Sequence, residues 1–233
     1  MGLNGGSHSR RAVMELSPAA LTGLLAGALQ AAGYGLYVRH ALRAETRPNP
    51  ASWLMFAYGT ALVVVLEAAA GASWPMLLLP AVCAASSIFV AALAFLRGAT
   101  LRDLDRADFL AFVLDVGCTL AYLAVWAARA GGLVRPDLFE LAAVLLLAGA
   151  AGTSITSFIP ILRGTYRAPD QERPWPWIVW TAAYGALALA TLMASAPSAL
   201  LIYPGINLLL HALVAALSVR RNVGALAAGH VAG

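Results

Sequence analysis

Residues 75–96 read PMLLLPAVCAASSIFVAALAFL and contain no charged side chain. A helix needs about 20 largely apolar residues to cross the roughly 30 Å hydrocarbon core of a bilayer, and this stretch has that length. Similar stretches occur on both sides of it. Together they predict an all-α membrane protein with seven spans, at residues 19–38, 53–72, 75–96, 109–128, 141–162, 177–196 and 200–219.

The composition of the whole chain agrees with this interpretation. Of the 233 residues, 61% are hydrophobic and 11% are charged, whereas soluble domains average about 45–50% apolar and about 25% charged residues. The apolar residues are spread along the chain, which leaves no soluble domain of useful size. Cys83 and Cys118 both lie in apolar stretches. This placement excludes a disulfide framework and favours buried free thiols.

Every one of the 15 basic residues is an arginine. A retinal Schiff base requires a lysine amine, so the chain is not a rhodopsin. The arginines cluster beside the spans, where membrane orientation explains them better than nucleic-acid binding does. In the predicted layout, Arg10, Arg11, Arg129 and Arg135 lie on one side and the other arginines on the opposite side. This bias predicts a multi-pass inner-membrane protein with its N-terminus outside and its C-terminus in the cytoplasm.

Arg10 and Arg11 also allow a second interpretation, because a basic pair before an apolar run is typical of a signal peptide. The run that follows is long and lacks a clear cleavage site of small residues. We therefore interpret residues 19–38 as a membrane span.

The chain also resembles itself. Two uncommon motifs recur 126 residues apart: Arg47-Pro48-Asn49-Pro50 with Tyr58-Gly59, and Arg173-Pro174-Trp175-Pro176 with Tyr184-Gly185. After a gap of two residues, Pro80 matches Pro204, and residues 90–93 match 214–217. Residues 24–28 and 146–150 share the sequence LLAGA, although chance can produce such a match in alanine-rich helices. The matches predict that spans one to three repeat as spans five to seven, in the same orientation.

Three spans, a linking span and three more spans form the layout of the SWEET sugar transporters, and the chain resembles a member of that wider group, which includes the PQ-loop proteins. Residues 157–163, SFIPILR, resemble the Pro-Gln pair and basic loop of PQ-loop proteins, with Ile161 in place of the glutamine. Residues 30–34 give only the outline of that motif in the first repeat, without the proline.

This resemblance implies two parallel three-helix bundles joined by a linker helix. Its boundaries are a tail at 1–17, a first bundle at 18–98, a linker at 99–135, a second bundle at 136–221 and a tail at 222–233.

Polar side chains inside the spans indicate where a site could lie, because they are costly in lipid and usually face a bundle interior or a cavity. Asn207 and His211 lie one helical turn apart on span seven. Cys83 and Ser87 occupy the matching positions on span three. The resemblance to SWEET proteins implies that an asparagine on the third helix of each repeat contacts a sugar near the membrane midplane. Asn207 fits that implication, and Cys83 departs from it.

Each of these residues has a structural alternative. Asn207 could serve only in an interhelical hydrogen bond, and His211 is more typical of a satisfied core histidine than of a proton carrier. Tyr58, Tyr184 and Trp180 could supply flat apolar surfaces for a sugar ring, or they could simply be packed. Four further tryptophans fall near predicted span ends, where aromatic belts are expected: Trp53, Trp74, Trp175 and Trp177.

Two carboxylates lie inside the predicted spans, where an acid is by default a functional candidate. Asp115 lies on the linker span, away from the expected transport path, so a structural hydrogen bond is the favoured interpretation. Glu67 lies toward the outer end of span two and predicts an outer-mouth or water-facing role.

Hinges are predicted at Pro160, Pro80 and Pro204, because proline removes a backbone hydrogen bond within a helix. The small residues Gly23, Gly27 and Gly149 predict close helix approach.

The function predicted from these features is facilitated, alternating-access passage of a small neutral solute, with a sugar as the leading class. A ligand-binding receptor or sorting protein of the same architecture is the alternative. A membrane enzyme is disfavoured, because the sequence shows no His-rich cluster and no paired carboxylates on one helix. We predict no cofactor and no metal. The expected partners are the solute and the lipid bilayer, no nucleic acid is expected, and self-association is left open.

Overall fold

The structure, a computed structural model, describes residues 17–46, 48–98, 100 and 106–231. Its seven α-helices are α1 Pro18–Leu42, α2 Pro50–Ala69, α3 Trp74–Leu96, α4 Arg106–Ala130, α5 Pro136–Arg167, α6 Pro174–Met193 and α7 Ile202–Val231. Short 3-10 helices at Pro169–Gln171 and Ser198–Leu201 precede α6 and α7. Within the described ranges there is no β-strand, and all seven helices are long and apolar enough to cross a membrane. The prediction of a seven-helix, multi-pass membrane protein is confirmed.

Several helices begin at a proline, which fixes the backbone angle that a helix needs and whose missing N–H would have no partner there. At α1, Ser17 caps the helix by accepting a hydrogen bond from the amide of Ala20 at 3.2 Å. The longest helix, α5, extends beyond the predicted span 141–162 at both ends. The predicted tail at 222–233 is also helical as far as Val231. The tail at 1–16, including Arg10 and Arg11, lies outside the described residues.

The three predicted hinge prolines differ in their positions within the helices. Pro80 and Pro160 lie inside α3 and α5, where each removes a backbone hydrogen bond as expected. Pro204 lies in the first turn of α7, because the preceding turn is a 3-10 helix. Proline is tolerated in a first helical turn, so the predicted break within span seven is wrong.

Six helices form a closed ring in the order α1, α3, α2, α5, α7 and α6, with α6 returning to α1. The remaining helix, α4, lies outside the ring against α5 and α2. Its apolar side chains Phe109, Leu120 and Trp126 are exposed, as expected for a helix that faces lipid.

The two ends of the ring differ. At one end Arg97 donates to the backbone oxygen of Leu42 at 3.1 Å, and Arg220 donates to that of Tyr166 at 2.7 Å. We call this the arginine-rich end, after Arg39, Arg43, Arg97, Arg163, Arg167, Arg173 and Arg220. At the opposite end α1 meets α3 closely: a Cβ on Gly23 would lie 3.0 Å from the Pro75 oxygen, and one on Gly27 would lie 2.6 Å from the Leu78 side chain. The close approach predicted at these two glycines is confirmed.

Buried positions in the first three helices recur 124 residues later in the last three. Helices α2 and α6 have the same length of 20 residues and begin at Pro50 and Pro174. The matched buried pairs are Ala26 with Ala150, Tyr34 with Phe158, Tyr37 with Ile161, Trp53 with Trp177, Phe56 with Trp180, Thr60 with Tyr184, Leu79 with Tyr203, Cys83 with Asn207, and Ser87 with His211. A single separation of 124 residues thus fits these buried pairs, and at that separation Thr60, not Tyr58, precedes Tyr184.

Candidate functional site

A small cavity lies at the centre of the ring. Its volume is about 20 Å³, which is room for one water-sized molecule. Every ring helix contributes to its lining, and α4 contributes nothing. The lining residues are Tyr34, Trp53, Phe56, Thr60, Cys83, Ser154, Phe158, Trp180, Tyr184, Asn207 and His211. The structure thus brings Cys83, Asn207, His211, Tyr184 and Trp180 together around one cavity.

Asn207 and His211 are held by their own helix. The amide nitrogen Nδ2 of Asn207 donates to the backbone oxygen of Tyr203 at 3.0 Å, and Nδ1 of His211 lies 2.7 Å from the backbone oxygen of Asn207. A carbonyl can only accept, so Nδ1 carries a proton, and Nε2 is an acceptor in the neutral ring. The bond that Asn207 makes lies within α7, which is not the interhelical bond considered as its structural alternative.

A chain of hydroxyl and thiol groups crosses the ring beside the cavity. The hydroxyl of Tyr34 lies 2.7 Å from Oγ of Ser87 and 3.1 Å from Sγ of Cys83. On the other side, the hydroxyl of Tyr184 donates toward Cys83 at 4.0 Å and lies 3.0 Å from that of Tyr203. Ser87 therefore supports Tyr34 and does not itself line the cavity. Hydroxyl groups both donate and accept, so this chain can match the hydroxyl groups of a polyol.

Aromatic rings close the cavity toward the arginine-rich end. We call Tyr37, Trp53, Phe158, Trp177 and Trp180 the aromatic layer. The rings of Trp177 and Trp180 are 5.0 Å apart, and those of Tyr37 and Trp53 are 4.8 Å apart. Trp53 and Trp177 are buried here, so their assignment to an interfacial belt is wrong.

The burial of these two tryptophans has a simple cause. Each lies three residues after the start of its helix and faces the interior of the six-helix ring. Trp74 and Trp175, which were also assigned to a belt, are exposed.

The opposite side of the cavity is closed by aliphatic packing. Leu66, Leu79, Leu147 and Leu187 are buried there, together with Tyr203. The cavity is therefore occluded from both ends.

Tyr58 does not belong to the site. Its hydroxyl lies 2.7 Å from Oγ1 of Thr119, and its ring lies 5.5 Å from that of Phe112. Both partners are on α4, so the placement of Tyr58 at the cavity is wrong. Successive helical residues are rotated by about 100°, and it is Thr60, two residues later, that faces the centre.

The two intramembrane acids are both buried. Asp115 is 1% exposed and accepts a hydrogen bond from Oγ1 of Thr153 at 2.7 Å, which is the structural bond that we expected. Glu67 is 3% exposed, so its water-facing placement is wrong. The reason is that α3 and α5 flank α2, and Glu67 lies near Tyr203 of α7. Among the described residues, no group of three His, Cys, Asp or Glu side chains could hold a metal ion.

Removing the hydroxyl of Thr153 tests the role of Asp115. We expect Thr153→Val to lower the free energy of unfolding by about 1 kcal/mol, because interhelical hydrogen bonds in membranes contribute about that much or less. Thr156→Val is the control, since the Thr156 hydroxyl donates to the Thr153 backbone within α5. Thermal unfolding in detergent measures both variants. Equal stabilities would show that the bond to Asp115 contributes nothing.

Sequence reasoning missed several lining residues, among them Tyr34, Thr60 and Ser154. A signal for some of them was present. Trp53, Phe56 and Thr60 are spaced by three and four residues, which places them on one face of a helix. Apolar residues on the other faces of α2 hide this pattern, because lipid accepts them as readily as a protein core does.

Comparison with known proteins gives no relative: no family model, no curated protein and no solved structure matches the chain. The site geometry is therefore the basis for assigning a function.

Proposed function

We propose that this protein is a membrane transporter that carries a small neutral solute, with sugars as the first class to test, through the central cavity. One observation carries the proposal: all six ring helices converge on a single cavity, and the seventh helix lies outside. The lining combines acceptors and donors such as Asn207, His211 and Thr60 with the rings of Tyr184 and Trp180. Polar groups that fix orientation on an aromatic surface are typical of small-molecule sites.

The proposed architecture is two parallel three-helix bundles, α1–α3 and α5–α7, with α4 as the linker. Exchanging α1 with α5, α2 with α6 and α3 with α7 maps the ring onto itself, since α1 contacts α6 and α2 contacts α5. The constant separation of 124 residues between buried positions supports the same exchange. Both features are expected of a parallel repeat about an axis along the membrane normal.

Transport through this cavity requires a conformational change of the protein. Small-molecule pockets usually have volumes of about 300–1,000 Å³, and the cavity of about 20 Å³ is far smaller. The bundles must therefore separate to admit a solute, first at one end and then at the other. Pro80 and Pro160 lie inside helices of different bundles and are the proposed hinges.

The proposed orientation places the arginine-rich end in the cytoplasm. The ends of α1, α3 and α5 and part of α7 bring arginines together there. Lys and Arg accumulate on cytoplasmic loops, so this orientation puts the N-terminus outside the inner membrane.

Uptake into proteoliposomes tests the function. We expect one sugar in a panel of sugars, amino acids and small organic acids to enter with saturable kinetics. Asn207→Ala should lower kcat/KM for that sugar about tenfold, which corresponds to about 1.4 kcal/mol. Tyr58→Phe, which alters a residue that faces α4, should transport normally. If no solute enters while the protein remains folded, the transporter proposal fails and a receptor of the same architecture is favoured.

A further inference from the structure

A single buried carboxyl group joins α1 to α6 at the arginine-rich end. Glu172 lies in the connection before α6 and is 8% exposed. Its Oε2 accepts a hydrogen bond from Nε1 of Trp177 at 3.0 Å, and its Oε1 accepts one from the hydroxyl of Tyr37 at 3.4 Å. Tyr37 belongs to α1 and Trp177 to α6, so the carboxyl group spans the contact between the two proposed bundles.

Both partners of Glu172 belong to the aromatic layer. The Trp177 ring lies 5.5 Å from that of His211, which lines the cavity. The Tyr37 ring lies 5.6 Å from that of Trp180, another lining residue. The carboxyl group therefore holds the two rings that stand between the cavity and the arginine-rich end.

On its other side, Glu172 borders a polar pocket of about 260 Å³. The titratable and charged groups that face Glu172 are Tyr37 and His40 of α1, Glu45 of the next connection, and Arg173 beside it. From α7 the pocket receives the hydroxyl of Ser218. The exposed Arg167 of α5 and Arg220 of α7 do not line the pocket.

Among the described residues, the positive charge of Arg173 in this pocket has only a distant carboxylate partner. Nε of Arg173 is buried without a hydrogen bond and lies 3.5 Å from Oε2 of Glu45. Oε2 of Glu45 also lies 2.7 Å from Nδ1 of His40, and this hydrogen bond holds the pKa of Glu45 below its usual range. A negative charge on Glu172 would thus have a guanidinium neighbour within the same pocket.

Burial raises the pKa of Glu172 to about 8, although the hydrogen bonds from Trp177 and Tyr37 act in the opposite direction. The pKa in the folded protein thus exceeds the usual value of 4.5. The stabilising contribution of this group is complete below pH 4.5 and is lost as the pH rises through about 8.

We propose that Glu172 is a proton-binding site that controls access to the central cavity from the arginine-rich end. Protonated, the carboxyl group remains between Tyr37 and Trp177, and the aromatic layer is closed. When the proton leaves to water, burial penalises the carboxylate more than the hydrogen bonds from Tyr37 and Trp177 favour it. The carboxylate therefore turns toward Arg173 and the solvent of the pocket, and both rings are released. The proposal rests on the proposed function only in treating the cavity as the solute route, and its test requires no solute.

Cys83 provides the measurement, because it lines the cavity beyond the aromatic layer. In a Cys118→Ser background it is the single thiol of the chain. We would measure the rate at which a small, charged methanethiosulfonate modifies Cys83 in the full-length, detergent-solubilised protein at pH 7 and at pH 9. Dividing this rate by that of the Glu172→Gln variant at the same pH cancels the ionisation of the thiol itself.

This rate ratio should rise up to about tenfold between pH 7 and pH 9, since the ionised fraction of a carboxyl group with a pKa near 8 rises by that factor. Glu172→Asp keeps an acid and should keep the pH dependence. Glu45→Gln removes the carboxylate that faces Arg173 but no group that titrates in this range, so it should keep the pH dependence. A constant ratio would overturn the proposal, and so would a loss of pH dependence in Glu45→Gln alone. If Glu172→Gln does not fold, Glu172→Met, a side chain of similar length that does not titrate, replaces it as the reference in the rate ratio. If no solute of the uptake panel is transported, the result of the Cys83 modification experiment still stands.

Discussion

Trp180→Ala is expected to lower the free energy of unfolding by about 3 kcal/mol, the largest effect of any single substitution considered for this protein. Trp180 is 1% exposed, and its ring lies 4.9 Å from that of Tyr34 and 5.0 Å from that of Trp177. Its Nε1 also donates to the backbone oxygen of Gln30 at 3.2 Å. Truncation leaves a cavity among packed rings and removes this hydrogen bond between α6 and α1. The estimate is at the low end for a buried tryptophan because lipid, unlike water, does not penalise an apolar surface.

Trp175→Ala provides the matched control on the same helix. Trp175 is 64% exposed, so its truncation should change the free energy of unfolding by less than about 0.5 kcal/mol. Thermal unfolding of both variants in the same detergent, followed by near-UV circular dichroism, gives the comparison. Equal losses for the two variants would contradict the packing role that we assign to Trp180.

Gly33→Ala should be nearly as damaging, although it adds only one methyl group. A Cβ on Gly33 would collide with Nε1 and Cδ1 of Trp180, and the ring is enclosed on its other sides. Overpacking of this kind costs about 1–3 kcal/mol. We expect a loss of about 2 kcal/mol together with weaker binding of any solute that contacts Trp180, since the ring must move.

Gly35→Ala separates this collision from the general effect of alanine in a helix. Gly35 lies two residues further along α1, and a Cβ there would meet no atom within 4 Å. Alanine favours the helix by up to about 1 kcal/mol over glycine, so Gly35→Ala should leave the protein as stable or slightly more stable. If Gly33→Ala unfolds at the same temperature as Gly35→Ala, the contact between α1 and Trp180 is not tight in solution.

Shared sequence motifs and shared buried positions give different residue pairings for the predicted repeat. The shared Tyr-Gly pairs place Tyr58 opposite Tyr184, whereas the burial pattern places Thr60 there. The difference arises because two residues rotate a helix face by about 200°, enough to turn Tyr58 from the cavity to α4. On span three and span seven the two kinds of matching agree, since both place Cys83 opposite Asn207.

The sequence alone determined that this is an all-helical membrane protein with seven spans. Hydrocarbon offers no hydrogen bonds to a backbone, so a long apolar stretch can cross it only as a helix. Pro80 and Pro160 were likewise identified within helices because proline disrupts a helix wherever it lies.

Only the tertiary structure decided which face of each helix is turned inward. In water the inner face of a helix is the apolar one, but here lipid is as apolar as a protein interior, so composition does not mark that face. Trp53, Trp177 and Glu67 were for this reason placed at the membrane surface by their sequence positions, although all three are buried. The bridge from Tyr37 through Glu172 to Trp177 likewise joins residues 135 positions apart in the sequence, and only the packing of α1 against α6 brings them together.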